Sequence, residues 1–385
     1  MSTIEIGRYV QQPQGFKAFI PGPFPPAKKL ELPRQTNFSQ SEAIRLLGKL
    51  DGITRLLPDR DAFLMLFVQK DATSSNQIEG TNATMIDVIE SGNKEPRSDI
   101  PADVDDIIHY IGALQYGLER AGSFPFTLRF IRELHEKLMA GARMTQLAYP
   151  GEFRKAQNWI GGTRPDTARY VPPPADEMNR ALGDLENFIH ADDDYLPLVK
   201  AGLLHAQFET IHPFNDGNGR TGRMLITMFI WYRKLLETPV LYLSTYFRKH
   251  QSLYYERLEG YHSGQVTEWI DFFLEGVITT AESAIITCEK IIDLRERDMR
   301  KIQALGKRSA TSTLKVLTKL YEMPIVGIAD IREWSGFTSG GGYNLINRLA
   351  EMGILKPMIR GGSVYGQKWI YEDCLRLFAD DAPVA

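Results

Sequence analysis

Apolar positions recur at three- and four-residue spacing through most of the chain, the period of a helix with one buried face. Within residues 39–93 the run LLGKLDGITRLLPDRDAFLMLFVQKDA carries this pattern, and Pro58, which lacks a backbone donor, divides it into two helices. The same period predicts helices over 102–120, 127–139, 178–189, 196–211, 221–236, 251–261 and 266–294. Two stretches break it. Residues 1 to about 40 are proline-rich (QQPQGFKAFIPGPFPPAKKLELP), which predicts an extended segment lying over the surface rather than forming a core of its own. Residues 149–174 are rich in Gly and Pro, with short β-prone pieces (QNWI, ARYV) around a turn, and predict a hairpin or flap.

The charged stretch RERDMRKIQALGKRS (295–309) reads as a linker, and 310–378 as a separate small domain. That block has helical patterns at SATSTLKVLTKLYEM, at 328–334 and at YNLINRLAEMGIL. LKPMIRGGSVYGQKWIY then predicts a two-stranded wing turning at Gly361-Gly362. The order resembles a winged helix-turn-helix. Over 305–385 there are 10 Lys and Arg against 8 Asp and Glu, and the third helix begins with glycines. Both features argue against strong phosphate binding, so a protein-interaction or dimerisation module is favoured over DNA binding.

Composition narrows the class. At 385 residues, 43% hydrophobic and 24% charged, the chain is an ordinary globular protein with more than one domain. A net charge of -3 excludes a strongly basic, chain-wide nucleic-acid binder. Cys288 and Cys374 have no metal-ligand spacing and form no disulfide framework, which suits a reducing cytoplasm. No signal-peptide core and no membrane-spanning run is evident, so the expected location is cytoplasmic.

The candidate chemistry lies in twelve residues between two helical patterns, His212-Pro213-Phe214-Asn215-Asp216-Gly217-Asn218-Gly219-Arg220-Thr221-Gly222-Arg223. Gly217 and Gly219 admit backbone conformations closed to other residues. A loop of this kind running into a helix turns several N–H groups on one spot and adds the positive end of the helix dipole, which makes an anion site. Arg220 and Arg223 add full charges suited to phosphate oxygens. Asp216 suits a Mg²⁺ ion shared with phosphates, and His212 suits general-base work. Singly, each has a commoner use, such as a helix-end cap, a surface turn or a solvated arginine. Together they describe phosphoryl or nucleotidyl transfer.

HPFNDGNGRTGR resembles the HPFx(D/E)GNGRxxR motif of the Fic family. The resemblance extends to QNWIGG with YVPPP, to HAQFETIHPF, and to LYLSTYFRKHQSLYYERL followed by WIDFFLEG, covering about residues 40–280. It implies a mostly α fold: a helical Fic core with a β-hairpin flap, followed here by the winged-helix domain. It implies transfer of AMP from ATP to a Ser, Thr or Tyr hydroxyl of a target protein, with Mg²⁺. His212 would deprotonate the hydroxyl and Phe214 would anchor the loop. Asp216 would hold the metal, while Asn218, Gly219 and Arg220, with Gly217, would line the anion hole. Arg223 would meet the γ-phosphate. Trp159, Ile160, Gly161 and Gly162 would dock the target by strand addition. Of the Tyr254-Tyr255 pair, Tyr255 is favoured for the adenine pocket; a core aromatic is the competing use.

Ser75-Asn76-Gln77-Ile78-Glu79-Gly80 fits the family's inhibitory pattern, (S/T)xxxE(G/N), in the class with an N-terminal inhibitory helix. The resemblance implies that Glu79 pairs with Arg223 and withholds it from ATP. The expected division is 1–100 (extended segment and helices with the inhibitory motif), 101–294 (catalytic core) and 310–385 (winged helix). Expected partners are ATP and a target protein, the chain itself among the candidates, with a homodimer as in many relatives and no membrane. A DNA-binding regulator with a nucleotide-sensing core is the alternative.

Overall fold

The computed structural model describes the chain except residues 1–3, 27–29, 58–59, 95–98, 122–124, 142–148, 306, 359–366 and 379–385. Two strands, β1 (Gly7–Gln11) and β2 (Lys17–Pro21), precede α1 (Arg34–Thr54), α2 (Arg60–Ile78), α3 (Met85–Ser91), α4 (Val104–Ala121) and α5 (Leu128–Met139). After an irregular segment come α6 (Ala175–His190), α7 (Pro197–Ile211), α8 (Asn218–Tyr232), α9 (Ser244–Lys249), α10 (Gln251–His262) and the 38-residue α11 (Val266–Gln303). The C-terminal block is α12 (Lys307–Glu322), β3 (Ile325–Val326), α13 (Ile328–Ser335), α14 (Ser339–Glu351), β4 (Lys356–Met358), β5 (Lys368–Ile370) and α15 (Glu372–Arg376). No helix among the described residues is long and apolar enough to cross a membrane.

The centre is α7. Proline at its first position suits the helical φ and forfeits a donor that would be unpaired anyway. Nearly every residue from Leu198 to Ile211 is buried, polar ones included, so the helix is enclosed on all sides. α8 packs against it, and α4, α5 and α11 enclose the pair. The predicted helices are present with shifted ends: the pattern read over 221–236 is α8, which starts earlier, at Asn218. Three short helices escaped the periodicity. α3 is set by a capping box in which Thr84 and Asp87 exchange hydrogen bonds, α9 spans only six residues and α15 only five. Pro58 lies outside the described residues.

Three expectations are corrected. The proline-rich start is not a surface strap: β1 and β2 pair antiparallel, with Tyr9 opposite Phe19. Phe19 is fully buried, its N–H donates to Val171 O (2.9 Å), and its ring lies 4.9 Å from that of His262. The apolar alternation within KAFIP outweighed the proline content around it. The flap is a single bridge, Ile160 with Tyr170, rather than a ladder. The charged stretch 295–309 is not a linker up to Gln303, because α11 continues through it. Leu294, Asp298 and Ile302 form a buried stripe at four-residue spacing, while the other charges face outward.

In the C-terminal block the strand order is β3-β5-β4, antiparallel throughout. The two predicted wing strands are β4 and β5; β3 was not foreseen, and the Gly361-Gly362 turn lies outside the described residues. The block packs on the remainder of the chain. Tyr321 and Phe378 meet Phe63 and Phe67 of α2 at ring separations of 4.5 and 5.0 Å. Tyr371 donates its hydroxyl to buried Asp298, and Lys94 N–H donates to Asp330 (3.0 Å).

Phe19→Ala empties the seam between the hairpin, Tyr170 and His262. Loss of a buried phenylalanine costs about 3–5 kcal/mol. A clear fall in melting temperature is expected by calorimetry; an unchanged melt would show that the hairpin is not part of the core.

Candidate active site

α7 ends in a left-handed turn. His212 has φ 49° and ψ 62°, uncommon for a residue with a Cβ, and Pro213 follows it. Arg154 holds this corner. Its backbone N–H donates to Pro213 O (2.9 Å), Nε donates to His212 O (2.9 Å), and Nη2 donates to Pro173 O (2.6 Å). Helix-end carbonyls that would lack donors are thereby paired with a buried cation. Burial lowers the Arg154 pKa to about 10, still well above neutrality.

The loop then turns inward. Phe214 is fully buried and stacks on His135 with ring centroids 3.6 Å apart and planes 2° from parallel. His135 Nδ1 accepts the Gly151 N–H (2.9 Å), so Nε2 carries the proton donated to Asp216 O (3.0 Å). Asn218 closes the loop on itself: Oδ1 accepts from Phe214 N–H and Nδ2 donates to Phe214 O, both at 2.8 Å. Its side chain thus braces the turn, while the backbone of α8 begins there. Gly217 sits at φ 75° as the N-cap. A Cβ on Gly219 would stand 2.4 Å from Glu79 Oε1, so only glycine lets that carboxylate approach.

A cavity of about 300 Å³ opens here, lined by Glu79, His212, Gly219, Arg223, Tyr255 and Ile160 among others. Arg223 is 4% exposed. Its Nε donates to Ser75 Oγ (2.9 Å), and Nη2 donates to Ser75 O (2.9 Å) and Glu79 Oε1 (2.7 Å). Burial acts to lower the Arg223 pKa, but the Glu79 carboxylate more than offsets it and the net shift is upward. Burial likewise acts to raise Glu79, and Arg223 overrides it, leaving Glu79 below the usual carboxylate range. Although 39% of the Glu79 side chain is exposed in the cavity mouth, the Arg223 and Arg220 charges both act on it.

Burial, reinforced by the Arg154 charge, lowers His212 to about 4, so the imidazole is neutral at pH 7 and can accept a proton. Beside it, burial lifts Glu209 to about 7, with Glu79 adding and Arg223 opposing; its Oε2 lies 4.0 Å from His212 Nδ1. Asp216 is half-exposed, accepts the Gly217 N–H at Oδ1 (2.6 Å), and stands 3.8 Å from Arg220. No cluster of three or more acidic, His or Cys side chains suited to a metal occurs among the described residues. A single carboxylate is the protein share that Mg²⁺ commonly takes when phosphates supply other ligands, so Asp216 fits that use.

Tyr254 is buried, with its hydroxyl 2.8 Å from His205 Nε2; His205 Nδ1 is 3.0 Å from Gly222 O. It lines the cavity from the core, and half-buried Tyr255 lines the same cavity. Ile160 and Gly161 of the flap line the same cavity. Trp159 donates to Gly162 O (3.3 Å) across the flap turn. Asn158 donates to Phe214 O (2.9 Å), tying the flap to the loop. His135, Arg154, Asn158 and Glu209 were not singled out from sequence. Each lies inside an ordinary helix or loop pattern, and only tertiary contact reveals it.

Four histidines titrate low in the folded chain: His135 and His212 at about 4, and His205 and His262 at about 3, against 6.5 when exposed. Between those values the unfolded chain binds more protons at the histidines, which outnumber the opposing carboxyl, Glu209, so stability falls as pH drops from about 6.5 toward 4. Melting temperatures across that range should decline; a flat profile would contradict the neutral assignments.

Comparison with known proteins agrees with this geometry. Residues 125–230 match the model of the Fic/DOC family, and residues 39–119 match that of the Fic/DOC family N-terminal region. Over 151 residues the chain is 26% identical to a protein adenylyltransferase Fic of Culex quinquefasciatus, covering 39% of this chain and 27% of that protein. A protein of the same name from Drosophila grimshawi is 27% identical over 151 residues, with 39% and 28% covered. The chain thus spans little more than a quarter of the length of these relatives. A crystal structure of a Fic family protein from Desulfovibrio desulfuricans superposes with a TM-score of 0.58 at 19% identity, over 89% of this chain and 97% of that one. A Fic domain containing signaling protein from Bacteroides thetaiotaomicron gives a TM-score of 0.52 at 19% identity, over 64% and 97%. These two likenesses concern the fold. With both family models matched in order and the motif loop built as described, residues 39–119 and 125–230 carry the N-terminal and central regions of the Fic/DOC family.

Proposed function

We propose that the chain transfers AMP from ATP to a hydroxyl side chain of a protein and is held inactive by Glu79. The observation that carries this reading is the convergence of neutral His212, the N-terminus of α8 and buried Arg223 on one cavity, with Glu79 on the guanidinium where an anion is expected. The α8 N-terminus and Arg220 receive the phosphates, and Arg223 meets the terminal one once Glu79 withdraws. His212 takes the proton from the target hydroxyl, which then bonds to the α-phosphorus in line as pyrophosphate leaves. Asp216 would hold Mg²⁺, which supplies charge neutralisation on the phosphates when bound. Ile160 and Gly161 give the target backbone an edge at the cavity mouth, and Tyr255 gives the base a ring to stack on.

The names of the curated relatives support the reaction class. The order of α12 to β5 supports a winged-helix reading of the C-terminal block, with half-exposed Phe337 and Tyr343 suiting a protein contact better than a nucleic-acid one. The division at 1–100, 101–294 and 310–385 belongs to the same reading. A DNA-binding regulator is not favoured, because His212 and Arg223 are both in place for chemistry.

The test is label transfer from α-labelled ATP with Mg²⁺, in lysate and with the purified protein alone. Glu79→Gly removes a charge-assisted pair, and labelling should rise about ten- to hundredfold over wild type. Adding His212→Ala should then lower it about 10²-fold or more. No label from any variant that still binds ATP would sink the adenylyl-transfer reading. Equal labelling by wild type and Glu79→Gly would sink the brake alone.

A further inference from the structure

Glu79 stands one residue beyond the end of α2, at Ile78, so its carboxylate can swing off Arg223 by side-chain torsions alone. That withdrawal leaves Arg223 with Ser75, whose Oγ accepts from Nε and whose O accepts from Nη2, both at 2.9 Å. Neither partner is charged. A guanidinium 4% exposed that loses its contacting carboxylate is costly to keep in place, and a flexible side chain would turn it toward water. Glu209 acts on the same charge from the cavity side, but its buried Oε1 has no hydrogen-bond partner, so no bond from that atom fixes the direction of the arginine.

Behind Ser75 the bonds continue to a buried acid. The Ser75 hydroxyl donates to the Tyr110 oxygen, and the Tyr110 hydroxyl donates to Asp71 Oδ2 (2.9 Å). Asp71 Oδ1 accepts from Ser244 N–H (3.1 Å), which fixes the carboxylate in turn. Ser75, Tyr110 and Asp71 are all buried, and Ser75 and Asp71 lie four apart on one face of α2, opposite Tyr110 of α4. The direction of each bond is forced. Nε of Arg223 can only donate, so Ser75 Oγ accepts there and gives its own proton to Tyr110; the carboxylate can only accept, so Tyr110 gives its proton to Asp71. The chain runs from cation to anion with every donor pointing toward the negative end, the polarity in which successive bonds strengthen one another. The Arg223 charge is felt at Asp71 across it.

We infer that Asp71, acting through Tyr110 and Ser75, is a positioning residue that keeps Arg223 aimed into the cavity once Glu79 has withdrawn. The inference rests on the proposed function in one respect, that the terminal phosphate of ATP is the ligand of Arg223. Asp71 does not touch that ligand; it acts on the arginine alone, from the side away from the cavity. α2 thereby has two opposed roles on one guanidinium. The residue just past its end covers the charge, and a residue about two turns back holds the same charge ready for a phosphate.

The test is calorimetric titration of the full chain carrying Glu79→Gly with ATP and with ADP, each with Mg²⁺, because ADP lacks the phosphate that Arg223 meets. Tyr110→Phe removes one oxygen and no charge, and Asp71→Asn removes the charge and keeps the shape. Each, added to Glu79→Gly, should weaken ATP about tenfold or more and change ADP by no more than about twofold. Either variant decides the matter alone if the other does not fold. With Arg223→Ala also present, Tyr110→Phe should move ATP by less than about twofold, because its effect runs through the guanidinium. ATP affinity unmoved by both variants, or ATP and ADP weakened equally, would overturn the inference while the adenylyl-transfer reading stands. ATP weakened as expected in a chain that never transfers label would uphold the inference and sink that reading instead. No ATP binding to Glu79→Gly would overturn both.

Discussion

The structure turns on one buried charge. Arg223 cannot lose its proton in any ordinary pH range, and a guanidinium taken out of water is tolerable only when paired. Ser75 satisfies Nε and part of Nη2 with a hydroxyl and a carbonyl, both neutral, so the charge itself is met by Glu79. A carboxylate and a phosphate are interchangeable partners for such a fork. Whatever holds Glu79 in place therefore competes directly with any anion entering the cavity. In the proposed function, the brake and the substrate site are two uses of this single interaction.

How firmly Glu79 is held depends on α2, and the two halves of that helix are built differently. Its first turns present Phe63 and Phe67 to the aromatic rings of the C-terminal block. Its last turns are held by polar contacts. Asp71 binds Tyr110 and Ser244, Ser74 meets Thr245 (3.0 Å), Gln77 accepts from Arg248, and Gln251 donates to Ile78 O (3.0 Å). Apolar burial is lost only when surface is exposed to water, whereas each hydrogen bond nets about 0.5–1.5 kcal/mol because water can replace a partner. The half that carries Glu79 is thus secured by the more exchangeable kind of contact.

The sequence disclosed what is local. Twelve contiguous residues contain His212, the glycine-bearing loop and both arginines of the cavity, and amphipathic period alone placed α1, α2, α5, α6 and α11 near their observed positions. It hid what depends on distant segments. Arg154 reads as one more charge in a Gly- and Pro-rich stretch, yet it pairs the Ile211 and His212 carbonyls at the end of α7. His135 lies in a plain amphipathic helix, yet it is the plate on which Phe214 rests. Composition misled in two places for related reasons. Charges at 295–303 suggested a linker, because counting charge ignores that one buried face suffices to continue a helix. Prolines near the start concealed Phe19 between them. Asn218 was read as lining the anion hole; what the sequence did not disclose is that its side chain also closes the loop by bonding Phe214 N–H and Phe214 O.

The C-terminal block bears on the same interaction from the far end of α2. Tyr321 and Phe378 rest on the apolar half of that helix, and Asp330 accepts from Lys94 N–H beyond α3. Tyr371 reaches back to Asp298 on α11, so the block is joined to two helices of the core, not to a flexible tether. Packed interfaces of this kind move as units and do not deform continuously. A change that reseats the block must carry the start of α2 with it or break the aromatic seam. Linkage is reciprocal, so displacement of Glu79 by an anion must weaken or strengthen that seam by the same free energy with which the seam biases Glu79. The block and the cavity thus share one helix, and α2 is the element through which any coupling between them would run, whatever the block itself binds.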